Sequence, residues 1–356
     1  MNTMFRNFSK PWRAAVAGVL LLAAFSLVAG SVSASNTPGK DKSPQYLTHF
    51  KSIAAGRYHA LLVSINGNVW DWNVETEKAQ LVPGIKDVVE VATYLNRNVA
   101  LKKDGTVWEW GLSNDISWGS IKEEIRRPRQ VKGLSDITAI SSGYGFLALS
   151  KAGSVYAWDD SKSEAAQLEK LSNVKKISGD SQVLLKDGTV WREPDLEAII
   201  DIAAGDMDEL VLKKDGTVWM KFEEGRSNYF GQFGNGTNTD PDSPGWYRVP
   251  GLERVTSIYA GWDHFFAQDE DGVTWGWGKN REAQLGTGST DQQNSPVKLV
   301  KVKNMVRLAA GDVFSLYMKK DGTVYKMSNY GRSFIPNYNE AASLSPQQIR
   351  IPIKQK

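Results

Sequence analysis

The chain's stock of bases and nucleophiles is thin: three histidines, His49, His59 and His264, and no cysteine. His59 follows Gly56 by three residues and His264 follows Gly261 by three. A shared position of this kind points to one structural hydrogen-bonding role rather than to a catalytic pair. Two histidines without an accompanying carboxylate motif do not make a metal site. The chain has no Gly-x-Ser-x-Gly elbow and no glycine loop of the phosphate-cradling kind. The expectation is therefore a protein that is not an enzyme and that holds no cofactor and no metal. A polysaccharide lyase or hydrolase would need Asp206, Asp263 and His264 to converge, since acid–base work requires groups within reach of one another.

Residues suited to recognition are more plentiful. A variable pair follows each of a series of regularly placed small residues: Arg57-Tyr58, Tyr94-Leu95, Tyr144-Gly145, Asp180-Ser181, Asp206-Met207, Trp262-Asp263 and Asp312-Val313. Four aromatic rings, Tyr58, Tyr94, Tyr144 and Trp262, interleave there with carboxylates. Large rings among polar groups are the chemistry of protein-interface anchors and of sugar-stacking platforms. The predicted binding set is Arg57, Tyr58, Tyr94, Tyr144, Asp206, Met207, Trp262, Asp263 and Asp312. The alternative is that these side chains only plug the mouth of a channel.

A repeat must position them. Seven turn glycines, Gly67, Gly105, Gly153, Gly188, Gly216, Gly272 and Gly322, each follow Asn, Asp or Ala. Asn-Gly and Asp-Gly are favoured two-residue hairpin turns, because their central residues need positive φ. Flanking runs such as Leu210–Lys213 and Thr217–Met220 are strand-like, rich in β-branched and aromatic residues. A second landmark precedes each turn: Gly56, Thr93, Gly143, Gly179, Gly205, Gly261 and Gly311. Intervals between turn glycines run 38, 48, 35, 28, 56 and 50 residues, so the hairpin is fixed and the outer part of each unit varies. The pattern predicts an all-β fold, a seven-bladed β-propeller with about four strands per unit. Residues 345–353 are expected to close the ring by supplying the outer segment of the first unit. Trp70, Trp108, Trp191, Trp219 and Trp275, three residues after a turn glycine, are expected to be blade core. Trp72, Trp110, Trp158 and Trp277, two residues further on, are expected to pack beside them. The longer loops around Asn228-Tyr229-Phe230 and Asp240–Asp242 are expected to be solvated connectors rather than a calcium site.

The first residues carry another signal. Arg6, Lys10 and Arg13 precede an apolar run from Ala14 to Ala29, and Val32-Ser33-Ala34 is a small-residue exit. This predicts a secretory signal peptide over residues 1–34, with an uncleaved anchor helix as the alternative. Residues 35–48 are then a flexible lead-in and 49–356 the propeller. Removing three basic residues from a chain of net charge +3 leaves a value of about zero. A neutral chain of this kind is not expected to bind nucleic acid. The expectation is a monomer, secreted or envelope-associated, without a membrane span after cleavage.

The repeat phrase, small-Ala-Gly followed by Asp-Gly-Thr-Val-Trp and Trp-Gly, continues in the sixth unit as Trp275-Gly276-Trp277-Gly278-Lys279-Asn280-Arg281-Glu282-Ala283-Gln284-Leu285-Gly286. The fifth keeps Gly231-Gln232-Phe233-Gly234-Asn235-Gly236. These motifs resemble the regulator-of-chromosome-condensation (RCC1-like) repeat family over about residues 50–353, whose units form seven-bladed propellers. The resemblance extends to its secreted bacterial type, that of β-lactamase inhibitor protein II. It implies a scaffold that lays aromatic loop residues on a protein partner, with an enzyme such as a β-lactamase as one target. A cell-wall glycan is the alternative partner.

Overall fold

The computed structural model describes residues 45–111, 127–159, 164–168, 171–193, 195–206, 208–331 and 344–353. The proposed signal peptide, most of the lead-in and Met207 lie outside the described residues. Among the described residues every regular element is a strand or bridge, and no helix is long and apolar enough to cross a membrane.

Each unit is an antiparallel meander. In the first, strands Phe50–Ala55, His59–Ser64, Val69–Asn73 and Ala79–Leu81 pair in chain order. The same four-stranded sheet is built on the inner strands Val88–Tyr94, Ile137–Ser142, Ile199–Ala204, Val255–Ala260 and Met305–Ala310. The structure therefore has six four-stranded blades, not the seven expected. The fourth unit is a two-stranded sheet, Val174–Ser178 with Gln182–Leu185, extended only by single bridges at Val190 and Glu193. Its interval of 28 residues is the shortest in the chain and leaves no length for an outer strand. Val190 and Leu196 fill the vacated space and pack with Leu184, Ile199 and Val211.

The core lies between neighbouring units. Leu210, Val218 and Met220 of the fifth unit meet Ile258, Phe265 and Trp277 of the sixth. Phe50, Leu62 and Trp72 of the first meet Phe314, Leu316 and Val324 of the seventh in the same way. The two tryptophan sets differ in depth. Trp72, Trp110, Trp158 and Trp277 are the buried ones. Trp108 and Trp219 are half-buried, donate Nε1–H to the turn threonines Thr106 and Thr217, and lie under Lys102 and Lys213. An indole N–H needs an acceptor, and the turn threonine supplies one near the surface.

The chain end divides its work. The first unit has its own outer strand, so the tail does not supply it. Gln347–Gln348 instead completes the seventh sheet against Val324–Met327, and Ile351–Ile353 pairs with Gln45–Leu47. A backbone bond repeats around the wheel. The carbonyl of a turn glycine accepts the amide that opens the next unit's inner strand: Gly67 from Val88 at 3.1 Å, Gly188 from Ile199 at 2.9 Å and Gly216 from Val255 at 3.2 Å. Gly322 accepts from Phe50 at 2.8 Å, which joins the last unit to the first.

Gly322 has φ +85°, and a Cβ there would lie 2.8 Å from the Phe50 carbonyl oxygen. Gly272 has φ +75° with open space around it. Both pay the left-handed penalty of about 1 kcal/mol for an L-residue, but only the first also collides with the closing contact. In urea titrations Gly322→Ala is expected to lose clearly more stability than Gly272→Ala; equal losses would remove the special role of the joint.

Candidate functional site

The inner strands of all seven units converge on an axis and line a cavity of about 270 Å³. Where they crowd, the wall is small: Ala55, Ser142, Ala204, Ala260 and Ala310. The loop glycines follow. A Cβ on Gly205 would fall 1.9 Å from the Gly261 carbonyl oxygen, and one on Gly311 would fall 2.2 Å from that of Gly56. Close backbone approach between successive loops therefore explains the landmark glycine.

The second unit breaks this rule. Strand pairing aligns Val91 with Ile53, so Tyr94, not Thr93, occupies the landmark position there. Its ring leaves the end of an inner strand where other units carry no side chain. Tyr94 is 6% exposed and donates its hydroxyl hydrogen to Asp206. It stacks on Trp262 at 5.7 Å between centroids and tilts against Tyr144 at 5.1 Å. Tyr94 thus stands at the channel mouth, bonded to the fifth unit and packed on the third and sixth. Tyr144 remains 59% exposed. Arg97 holds its loop by donating to the Tyr144 carbonyl at 2.8 Å.

A charged arc continues the mouth. The Arg57 guanidinium lies 5.1 Å from the Tyr58 ring centroid and 5.3 Å from that of Trp262, and it pairs with Asp312 at 3.3 Å. Lys279 reaches Asp312 at 2.7 Å and Asp263 at 3.4 Å, and lies over Phe230. Tyr58 is half-buried and stacks on Tyr330. Arg57, Tyr58, Tyr94, Tyr144, Asp206, Trp262, Asp263 and Asp312 are thus brought into one neighbourhood by loops of six units.

Burial there works against the ionised form of several acids. Burial pushes Asp206 above the ordinary carboxylate range despite the Tyr94 hydrogen bond. Burial also raises Asp263, against Lys279. Asp208 is pushed up to about 7, first by burial and then by Asp263 and Asp206, with Arg226 opposing. Lys279 is itself raised, since Asp312 and Asp263 outweigh its burial.

The histidines stand apart. His264 is fully buried, bonds Ser315 through Nε2 at 2.7 Å, and is pushed down to about 3 by burial and by Lys279. His59 donates Nε2–H toward the Leu95 carbonyl at 3.0 Å and bonds Asp71 through Nδ1 at 2.8 Å; burial opposes its charge, but Asp71 prevails and raises its pKa. Each staples its unit to the next, and neither reaches the mouth carboxylates. The long loops are more than solvated connectors. Asn228 is fully buried and bonds Thr237, Thr239 and Phe233; Asn280 repeats the arrangement with Ser289, Asp291 and Leu285. Their ordered loops set Tyr229 and Phe230 beside Arg281, next to Lys279. Lys279 and Asp208 were not singled out from sequence. Asp208 lies three residues after Gly205, the position of His59 and His264, so an alignment of units exposes it.

Residues 271–318 match the regulator of chromosome condensation (RCC1) repeat. The ultraviolet-B receptor UVR8 of Arabidopsis thaliana is 27% identical over 282 residues, covering 69% of this chain and 57% of the receptor. The mouse regulator of chromosome condensation is 24% identical over 295 residues, covering 79% of this chain and 69% of that protein. The chain spans just over half of the receptor and, with 247 residues matched, 5% of the mouse E3 ubiquitin-protein ligase HERC2. The crystal structure of human WBSCR16 superposes with a TM-score of 0.56 at 16% identity, over 80% of this chain and 87% of that one, a likeness of fold. RCC1-type propellers are in general binding or exchange-factor scaffolds rather than catalysts.

Asp208 yields a pH prediction. Its folded pKa is raised, so the charged form destabilises the fold; the loss begins above the unfolded value near 4 and is complete above about 7. Asp208→Asn should therefore be nearly neutral in stability at pH 4 and stabilising by roughly 2–4 kcal/mol at pH 8. Denaturation at both pH values checks this; an equal effect at the two would contradict it.

Proposed function

We propose that the chain is a secreted or envelope-located, non-catalytic RCC1-type propeller that binds a protein at its channel mouth. The observation that carries this reading is Tyr144: 59% exposed, with its loop held by Arg97, beside the packed rings of Tyr94 and Trp262. A rigid exposed ring on a fixed base loses little entropy on binding. Around it the charges of Arg57, Asp206, Asp263 and Asp312 supply a polar surround, the usual anatomy of an interface. The basic start, apolar run and small-residue exit of residues 1–34 support export. An enzyme target such as a β-lactamase is the narrower form of the proposal. The lyase alternative is weakened because His264, its base, is buried against Ser315. A cell-wall glycan would draw on the same rings.

The test uses capture from culture medium or envelope extract. Tyr144→Ala is expected to weaken capture about 30-fold, the equivalent of a ~2 kcal/mol anchor, without changing the melting temperature. Val300→Ser, at an exposed apolar residue of an outer loop, should leave capture unchanged. Undiminished capture by Tyr144→Ala would reject this surface. Sedimentation with purified wall polymer separates the glycan reading, and absence of inhibition at micromolar concentration rejects the β-lactamase form for the enzymes assayed.

A further inference from the structure

We infer that Arg281, braced on the rings of Tyr229 and Phe230 beside the mouth, receives an acidic side chain, an Asp or Glu carboxylate, of the bound protein. The inference rests on the mouth being a protein-binding surface and names what one part of that surface reads.

Tyr229 and Arg281 hold equivalent places in successive units, each directly after a buried asparagine, Asn228 or Asn280, that ties its loop together. The Tyr229 and Phe230 rings meet edge to face at 5.0 Å. The Arg281 guanidinium lies 5.5 Å from the first centroid and 5.3 Å from the second, and donates from Nη2 to the Tyr229 hydroxyl at 3.0 Å. Gln292 of the sixth unit's loop donates to the Tyr229 carbonyl at 3.2 Å. At Gly231, with φ +70°, a Cβ would fall 2.7 Å from the Asn294 Cα, so the loop sits directly on the outer strand Gln293–Lys298. Tyr229 is 55% exposed and Arg281 is exposed, yet both are held in place. Rings and a planar cation fixed before contact lose little entropy on binding.

What this cation lacks is a counter-ion. Arg57 and Lys279, which also lie over rings at the mouth, are paired with Asp312, and Lys279 with Asp263 as well. Among the described residues Arg281 has no ion pair, and its hydrogen-bond partner is a neutral phenol. A guanidinium presents its donors in a planar fork that a carboxylate matches with two parallel bonds. The exposed Tyr229 ring offers apolar area to the stem of the same incoming side chain. A phosphate polymer fits less well. Asp263 and Asp312 lie on the mouth side of Arg281, and Asp240 accepts the Asn228 amide on the other, so a run of negative charges meets repulsion that one acidic side chain avoids. Lys279 spans from Phe230 to Asp263 and Asp312, which makes the patch continuous with the mouth and lets one partner cover both.

The experiment titrates acetyl-Gly-Glu-Gly-amide and acetyl-Gly-Gln-Gly-amide into the full folded chain, labelled at tyrosine, and follows the Tyr229 ring signals by NMR. The glutamate peptide is expected to bind saturably and about fivefold more tightly than the glutamine peptide, an advantage that high salt removes. Arg281→Gln should keep the melting temperature and abolish the advantage. Equal binding of the two peptides by the unaltered chain, or an advantage that persists in Arg281→Gln, overturns the assignment. So does poly(glycerol phosphate) that binds more tightly per phosphate than the glutamate peptide does per carboxylate, since a polyanion is then what Arg281 reads. If Arg281→Gln captures the protein partner as well as the unaltered chain while Tyr144→Ala does not, the acid-reading site falls and the mouth reading stands. If neither substitution affects capture, the mouth reading itself falls.

Discussion

The structure depends on one repeated backbone contact: the carbonyl of a hairpin glycine bonded to the first amide of the next unit. Among the described residues it recurs at five of the seven joints, from Gly67, Gly105, Gly188, Gly216 and Gly322, and Gly322 to Phe50 closes the series at 2.8 Å. Around it the interior is assembled pairwise, each cluster shared by two units, so the closing pair buries the same kind of interface as any other. A chain without cysteine has no covalent cross-link to substitute for that closure. The pairing of Ile351–Ile353 with Gln45–Leu47 adds a two-stranded ribbon at the joint, and Leu47 and Ile351 pack into the cluster shared by the first and seventh units.

Much of this was legible because the repeat has a strong physical cause. Positive φ at the turn selects Gly, and close approach of successive loops selects Gly again, so two landmarks per unit survive in the sequence. What was not legible follows from the same cause. In the second unit the landmark Gly is replaced by Tyr94, and a count anchored on Thr93 misplaces the register by one residue. In the fourth unit the missing outer strand is a matter of length, and Val190 and Leu196 take over its packing without any periodic signal. Tryptophan spacing marked a common strand face but not depth, which depends on whether the ring points between units or toward the turn threonine and its lysine.

The register shift of Tyr94 has the largest functional consequence. A glycine there would leave the cavity open; tyrosine instead fills the mouth and ties the second unit to Asp206 of the fifth. The rings then fall into two roles. Tyr94 is the base, Trp262 and Tyr58 are half-covered walls, and Tyr144 is the displayed face. The buried ring of Tyr94 closes the mouth and provides the floor on which the exposed ring of Tyr144 stands. Loops of six units contribute to the mouth, so only a closed wheel can bring these residues together.

The most direct measurement of that division is hydroxyl-radical footprinting of the folded chain with residue-level mass spectrometry. The account predicts rapid labelling of Tyr144, intermediate labelling of Tyr58 and Trp262, and protection of Tyr94 comparable to that of the core ring Tyr317. Labelling of Tyr94 as fast as Tyr144 would contradict it, because the mouth would then have neither a floor nor a fixed display surface.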